Sequence, residues 1–445
     1  MAGPPRVPRR RFLAVTGLGA LAAACRRGGG DADAGPGCPG AAQAAPSPHE
    51  GRVVLARTGS AERNAAALLD AWGGIESLVG PEDVVVLKVN AQWWGQGMSC
   101  TDVLAGLIAA ILGRPGGFSG DVIVADNHHF RRPLSRGWTT ERPNGRFNLV
   151  QLVEHFAAQA PGRVQRVHWT DAGPNPEPWQ GDAGGGVRVD EPGAGEGYRW
   201  WLDECHVTPE GHRCAMTWPS FRIARTGEIA DLRDGVFRDG APTGRPLRFW
   251  NVSSLNFHSR YAGVTASIKN LMGVVDMTCG FQGPEPPGYF NTHYIGMRPS
   301  HATWRWAKRR GGVVRRVVHK LIPEESALDF RHTGGALAHW IRTVRRPDLN
   351  VVTAEWIGFG SRTDEALSAR PGVSLAATDP VTLDAVAARE VLLPATREAG
   401  DRGRFYLPYN DPDRTEGPFR RFLEQARLEI GGRPEAGAAT IDRVS

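Results

Sequence analysis

Short runs of Val, Ile and Leu without polar alternation recur along this chain: "RVVLAR" (52–57), "VVVLKVN" (84–90), "DVIVADN" (121–127), "LNVVTAEWIG" (349–358) and "GVSLAATDP" (372–380). A strand that is apolar on both faces must be covered on both, a condition met by parallel sheets flanked by helices. Amphipathic segments lie between or after the runs: "SAERNAAALLDAW" (60–72), "TDVLAGLIAAIL" (101–112), "GALAHWIRTV" (335–344), "VTLDAVAAREVL" (381–392) and "PFRRFLEQARLEI" (418–430). "PLRFWNVSS" (246–254) and "GVTASIKNL" (263–271) read as further strands. The chain is therefore expected to be α/β over 52–430: one principal, mostly parallel sheet flanked by helices, with loop-rich insertions near 128–245 and 277–330 and a tail at 431–445.

Residues 1–25 stand outside that pattern. "RRRFL" (9–13) leads into an apolar run from Phe12 to Cys25, too short to span a bilayer stably and suited to a signal-peptide core. Arg9-Arg10-x-Phe12-Leu13 resembles a twin-arginine export signal, which implies a periplasmic or cell-envelope location. "AAAC" ending at Cys25 resembles a lipoprotein box, although Leu21 lies one position too far from the cysteine. Lipid attachment at Cys25, cleavage nearby and a retained anchor all stay open. Residues 26–51 are Gly, Pro and Ala with few large side chains, as in a flexible tether. The formal charge of +6 falls to about +2 without Arg6, Arg9, Arg10 and Arg11, so no nucleic-acid partner is expected. The expected partner is a small-molecule ligand, with membrane contact only through an anchor at Cys25; the sequence assigns no oligomeric state.

Cysteine and histidine point to no assembled centre. Cys38, Cys100, Cys205, Cys214 and Cys279 are scattered and include no C-x-x-C, which argues against a disulfide framework and a ferredoxin-type cluster. "ECHVTPEGHRC" (204–214) brings together Cys205, His206, His212 and Cys214, four zinc-type ligands. In an oxidising compartment a Cys205–Cys214 disulfide is the stronger expectation. Cys100 and Cys279 each follow a lysine block by about ten residues and read as a bridge, a thiolate beside a lysine, or buried small hydrophobes. His128, His129, His293, His301 and His332 show no ligand spacing, and no metal is assigned. With neither a P-loop nor a dinucleotide fingerprint, no cofactor is assigned.

Lysine carries the chemical signal. Of 53 basic residues only Lys88, Lys269, Lys308 and Lys320 are lysine, so an ordinary positive charge in this chain is written Arg. Lys88 in "VVVLKVN" and Lys269 in "ASIKNLMGVVD" each follow a short apolar run and precede an asparagine, Asn90 or Asn270. Ligands of open α/β sheets sit at the carboxyl ends of strands, where Lys88, Asn90, Asp126, Lys269 and Asp379 are expected. Lysine there supplies a compact charge and a pKa that falls on desolvation; arginine stays charged. Lys88, Lys269 and His258 are read as catalytic groups, and Asn90, Asn270, Thr265 and Asp126 as ligand-binding groups. Trp93, Trp94 and the loop "GYFNTHY" (288–294) are read as a roof, with Gly95 and Gly97 letting it move. The plainer alternative pairs each lysine with a core carboxylate and assigns it no chemistry. In "AATDPVTLDAV", Thr378 or Asp379 is expected to cap the helix starting near Pro380.

"VVLKVN" with "TDV" (101–103), "LNFHSRYAGVTASIKNLMG" (255–273), "RPDLNVVTA" (346–354) and "LAATDPVTLDAVAARE" (375–390) resemble successive blocks of the domain of unknown function 362 family. The resemblance implies no established reaction. Some members of that family carry a ferredoxin-like iron–sulfur module, which implies redox chemistry, but the cysteines of that module are missing here. The family usually has Lys-x-His where this chain has Asn256-Phe257-His258, which implies a smaller or less charged ligand if the family site binds an anion. Three functions are therefore weighed: an exported enzyme acting on an anionic or carbonyl-bearing small molecule, a noncatalytic envelope binding protein, and a twin-arginine-exported redox protein.

Overall fold

The computed structural model describes residues 51–127, 136–169, 188–277, 288–431 and 439–445. The export signal, the tether, Cys25, Cys38, His128, His129 and Cys279 lie outside the described residues. In chain order the strands are β1 (Arg52–Ala56), β2 (Val84–Lys88), β3 (Asp121–Asp126), β4 (Val164–His168), β5 (Gly197–Val207), β6 (Arg213–Arg222) and β7 (Ile229–Asp231). They continue as β8 (Gly235–Arg238), β9 (Ala241–Pro242), β10 (Leu247–Ser259), β11 (Gly263–Thr265), β12 (Leu349–Gly358), β13 (Val373–Ala377) and β14 (Thr440–Val444).

The principal sheet has the order β14-β1-β13-β12-β10-β2-β3-β4, with β11 folded back on β10. Its neighbours run parallel except at β13, which is antiparallel to both β12 and β1, and at β11. The doubly apolar runs behave as their composition requires. Val84 and Val86 of β2 and Ile123 and Ala125 of β3 enter one core, while Val85, Leu87, Val122 and Val124 enter the other. The second core is closed by the helices Ala61–Ala71, Thr101–Leu112 and Leu149–Gln159. The first is closed by the helices Arg331–Thr343, Pro380–Ala387 and Pro418–Ile430 and by a separate antiparallel sheet, β5-β6-β7-β8-β9.

Several segments depart from the sequence expectation. The segment 263–271 is a strand only through Thr265; Ser267–Asn270 is a helical turn. The region 128–245 carries the edge strand β4, a helix and the whole antiparallel sheet, and 277–330 carries the helices Ser300–Arg310 and Gly312–Leu321. Cys205 and Cys214 are buried thiols: the β5–β6 register sets Cys205 opposite Ala215 and His206 opposite Cys214, so the expected bridge does not form. Asp379 caps the helix Pro380–Ala387 through Val381 N–H (3.0 Å), and it also accepts from Arg427 Nη2 (2.8 Å).

Candidate functional site

Parallel register brings the carboxyl ends of β2, β3 and β10 together. Lys88 pairs with Asn251 of β10 on one side and Ala125 of β3 on the other. Its ammonium donates to the Val89 carbonyl (2.6 Å) and Asn270 Oδ1 (3.0 Å), and it meets Asp126 Oδ1 at 3.0 Å. An ammonium has three N–H donors, and all three of these are occupied. Asp126 is held in turn by the amides of Ala91 (2.8 Å) and Asn127 (3.0 Å). Burial pushes the Lys88 pKa down and the Asp126 pKa up, and their mutual attraction opposes both shifts.

The turn that carries Lys269 is fixed from three directions. Asp384, from the helix Pro380–Ala387, accepts from the amides of Ser267 (2.7 Å) and Ile268 (3.0 Å). Burial raises its carboxyl to about 8 although both amides favour the anion. Asn270 Nδ2 donates to Asn251 Oδ1 (2.8 Å), which ties the turn to β10. Gly273 presses against the buried ion pair: a Cβ there would stand 2.0 Å from Asp126 Oδ1 and 2.6 Å from Lys88 Nζ. The Lys-Asn-Leu-Met-Gly block thus has a physical reading, since Asn270 and Gly273 dock on Lys88 and Asp126 and leave Lys269 facing the cavity.

Lys269 is in a different position from Lys88. It is 7% exposed, its Nζ is 3.4 Å from Met272 Sδ, and it lies over the Phe330 ring at 5.5 Å. Among the described residues it has no carboxylate at ion-pair distance. Burial, followed by the charges of Arg362 and Lys88, brings its pKa down to about 7. Arg362 donates to His258 Nδ1 (2.9 Å) and stacks over Trp93, which also receives Arg136 at 4.8 Å. Burial lowers Arg362 to about 10, so it is still cationic at neutral pH. Because a guanidinium only donates, His258 presents the Nδ1 lone pair to it.

These groups surround a narrow cleft, about 370 Å³ only when the open solvent at its mouth is counted. It is lined by Lys88, Asn90, Asp126, Thr265, Lys269 and Asn270, together with Gln92, Trp93, Met272, Gly273 and Arg362. Six of the seven residues read from sequence therefore meet in one place. His258 does not line the pocket; it stands behind Arg362. Among the described residues Thr265 Oγ1 is buried without a hydrogen-bond partner, and Asn90 Nδ2 donates to Ser254 Oγ (3.2 Å). With Lys88 and Asp126 neutralising each other, Lys269 and Arg362 leave the pocket positive.

Other expectations are redirected. Burial pushes the Cys100 thiol up to about 12, so it is not a thiolate beside a lysine. Asn256 accepts from Gly358 N–H (2.8 Å) and braces the end of β12 ahead of Arg362. His293, from the loop 288–294, packs against Phe330, and loss of solvent with the Lys269 charge behind it drives its pKa to about 3. Among the described residues, no group of three or more His, Cys, Asp or Glu is arranged to hold a metal ion. Arg362, Met272 and Asp384 escaped the sequence reading of the site.

A family model described as Domain of unknown function (DUF362) matches residues 251–389. The matched block contains His258, Thr265, Lys269, Asn270, Arg362 and Asp384 and leaves out Lys88, Asn90 and Asp126. No curated protein and no solved structure matches the chain.

Proposed function

We propose that the pocket binds a small molecule bearing a carboxylate, phosphate or carbonyl group, and that Lys269 acts on it, making the protein an enzyme. The observation that carries this reading is the state of Lys269: a buried amine with no carboxylate at ion-pair distance among the described residues and a pKa near 7. Such an amine can take or give a proton, or attack a carbonyl carbon with loss of water to form an imine. Arg362 and the unsatisfied Thr265 hydroxyl receive the ligand's oxygens, and Lys88, its donors all engaged, is a positioning residue that holds Asn270 and Asp126. His258 orients Arg362. The match at 251–389 supports membership of the unknown-function family for the part of the chain that contains Lys269. The Arg9-Arg10-x-Phe12-Leu13 pattern supports export to the periplasm or envelope, which retention of an Arg9→Lys/Arg10→Lys variant in the cytoplasm would test.

The experiment is a panel of small 2-oxo acids, aldehydes, carboxylates and inorganic phosphate offered to wild type, Lys269→Arg and Lys269→Met. Binding is read by melting temperature, and imine formation by cyanoborohydride trapping and mass spectrometry. The enzyme reading expects an adduct on Lys269, or turnover that rises as pH passes upward through about 7, with both variants inactive. A noncatalytic binding protein, favoured by the permanent Arg362 charge, would instead lose affinity over the same rise in pH and keep it in Lys269→Arg.

A further inference from the structure

The helix Gly312–Leu321 stands apart from the pocket and from every core of the protein. None of its residues is buried. Val313, Val314, Val317 and Leu321 are 64%, 40%, 51% and 75% exposed. They fall on one arc of the helix, while Arg315, Arg316, His319 and Lys320 occupy the opposite arc. An amphipathic helix of a folded protein ordinarily turns its apolar arc inward. This one is held by its basic side: His319 stacks on Trp304 of the preceding helix at 4.6 Å and 8°, and its Nε2 lies 3.3 Å from the Trp304 carbonyl. The preceding helix, Ser300–Arg310, does bury His301, Trp304 and Ala307, so the pair is anchored and its second member is presented outward.

Charge identifies what would cover that face. Residues 300–323 contain seven Lys or Arg and no Asp or Glu. A cavity beside the helix is lined by Arg260, Lys308, Arg315, His319 and Lys320 around Trp304. Trp306 is 43% exposed with Arg310 over its ring. A second copy of this chain would bring like charges together, and an apolar protein surface would leave the cations unmatched. An apolar arc flanked by cations and an exposed tryptophan suits the interface of an anionic bilayer, where aliphatic side chains enter the acyl boundary and Lys and Arg meet lipid phosphates.

We propose that the helical pair Ser300–Leu321 docks the protein on an anionic phospholipid surface, with Val313, Val317 and Leu321 inserted and the basic cavity receiving a headgroup phosphate. The test uses full-length protein with Cys25→Ser, so that no acyl chain contributes, and vesicles of phosphatidylcholine alone or mixed with phosphatidylglycerol. Sedimentation with the mixed vesicles only, weakened by salt, is expected. Val317→Glu/Leu321→Glu should lower the bound fraction about tenfold at unchanged melting temperature. The basic, apolar N-terminal segment is common to both proteins, so undiminished binding of the double variant would assign the contact to that segment and overturn the proposal. Equal binding to both vesicle types, binding to neither, or a wild-type self-association abolished by the double variant would also overturn it.

Discussion

Two lysines that look alike in sequence have opposite surroundings, and the difference lies in who accepts their protons. Lys88 has three acceptors; Lys269 has a thioether sulfur and an aromatic face. The rarity of lysine was enough to select both positions, but the distinction depends on Asp126 and Asn270, which are distant in sequence. Arg362 stayed hidden for the converse reason, as one arginine among many. Lys269 has a pKa of about 7 in the fold against 10.5 ordinarily, so between those values the unfolded chain binds more protons. Stability is therefore lost as pH falls from 10.5 toward 7, and the full cost persists below. Lys269→Met should be more stable than wild type at pH 6 by on the order of a few kcal/mol in urea unfolding, with the margin closing toward pH 10. A variant less stable than wild type at pH 6 would mean that the ammonium has a partner. Gly273→Ala, whose Cβ would collide with Asp126 Oδ1, should cost at least about 3 kcal/mol or abolish soluble expression; a near-neutral denaturation midpoint would show that the ion pair can shift aside.

At the scale of elements, the clearest misreading was 263–271. Its β-branched residues suggest a strand, yet the chain turns after Thr265 because Asp384, more than a hundred positions later, supplies acceptors for the first two amides of the turn. A local pattern cannot reveal a cap that arrives from another helix. Asp384→Ala should cost about 2 kcal/mol or more, since two buried amides lose their acceptor, and should reduce ligand response through Lys269; urea unfolding beside the ligand panel checks both. Asp379 was legible as a cap because Pro380 follows it directly. Its contact with Arg427, which is 5% exposed, was not. Asp379→Ala should therefore exceed the roughly 1 kcal/mol of a lost cap, reaching about 2 kcal/mol because a buried guanidinium loses its charge-assisted bond to Asp379 while keeping the one to Thr382 Oγ1. A loss of only the cap value would show that the remaining contacts of Arg427 suffice.

Across the whole molecule, the principal sheet was readable because its strands are apolar on both faces and must be covered on both, although the same pattern in β13 did not reveal that it runs antiparallel to β1 and β12. The separate antiparallel sheet was not readable. In β5 and β6 tryptophans and arginines share the strand, the pairing slips between Trp201 and Cys205, and Pro219 interrupts the pattern, so neither strict alternation nor a continuous apolar run marks them. That sheet nonetheless joins the core beneath the pocket: Trp340 Nε1 donates to the Thr217 carbonyl at 2.8 Å, and Asp276, three residues past Gly273, donates through its amide to Thr217 Oγ1 at 2.8 Å. The site thus rests on both sheets, and the proposed chemistry converges on one amine. With only four lysines in the chain, that amine can be observed directly. In protein labelled with ¹³C at lysine Cε, one of the four lysine signals should titrate with a midpoint near 7, disappear in Lys269→Arg, and move when a bound carboxylate or 2-oxo acid is added. Four signals all titrating in the ordinary lysine range, above about 10, would contradict the account.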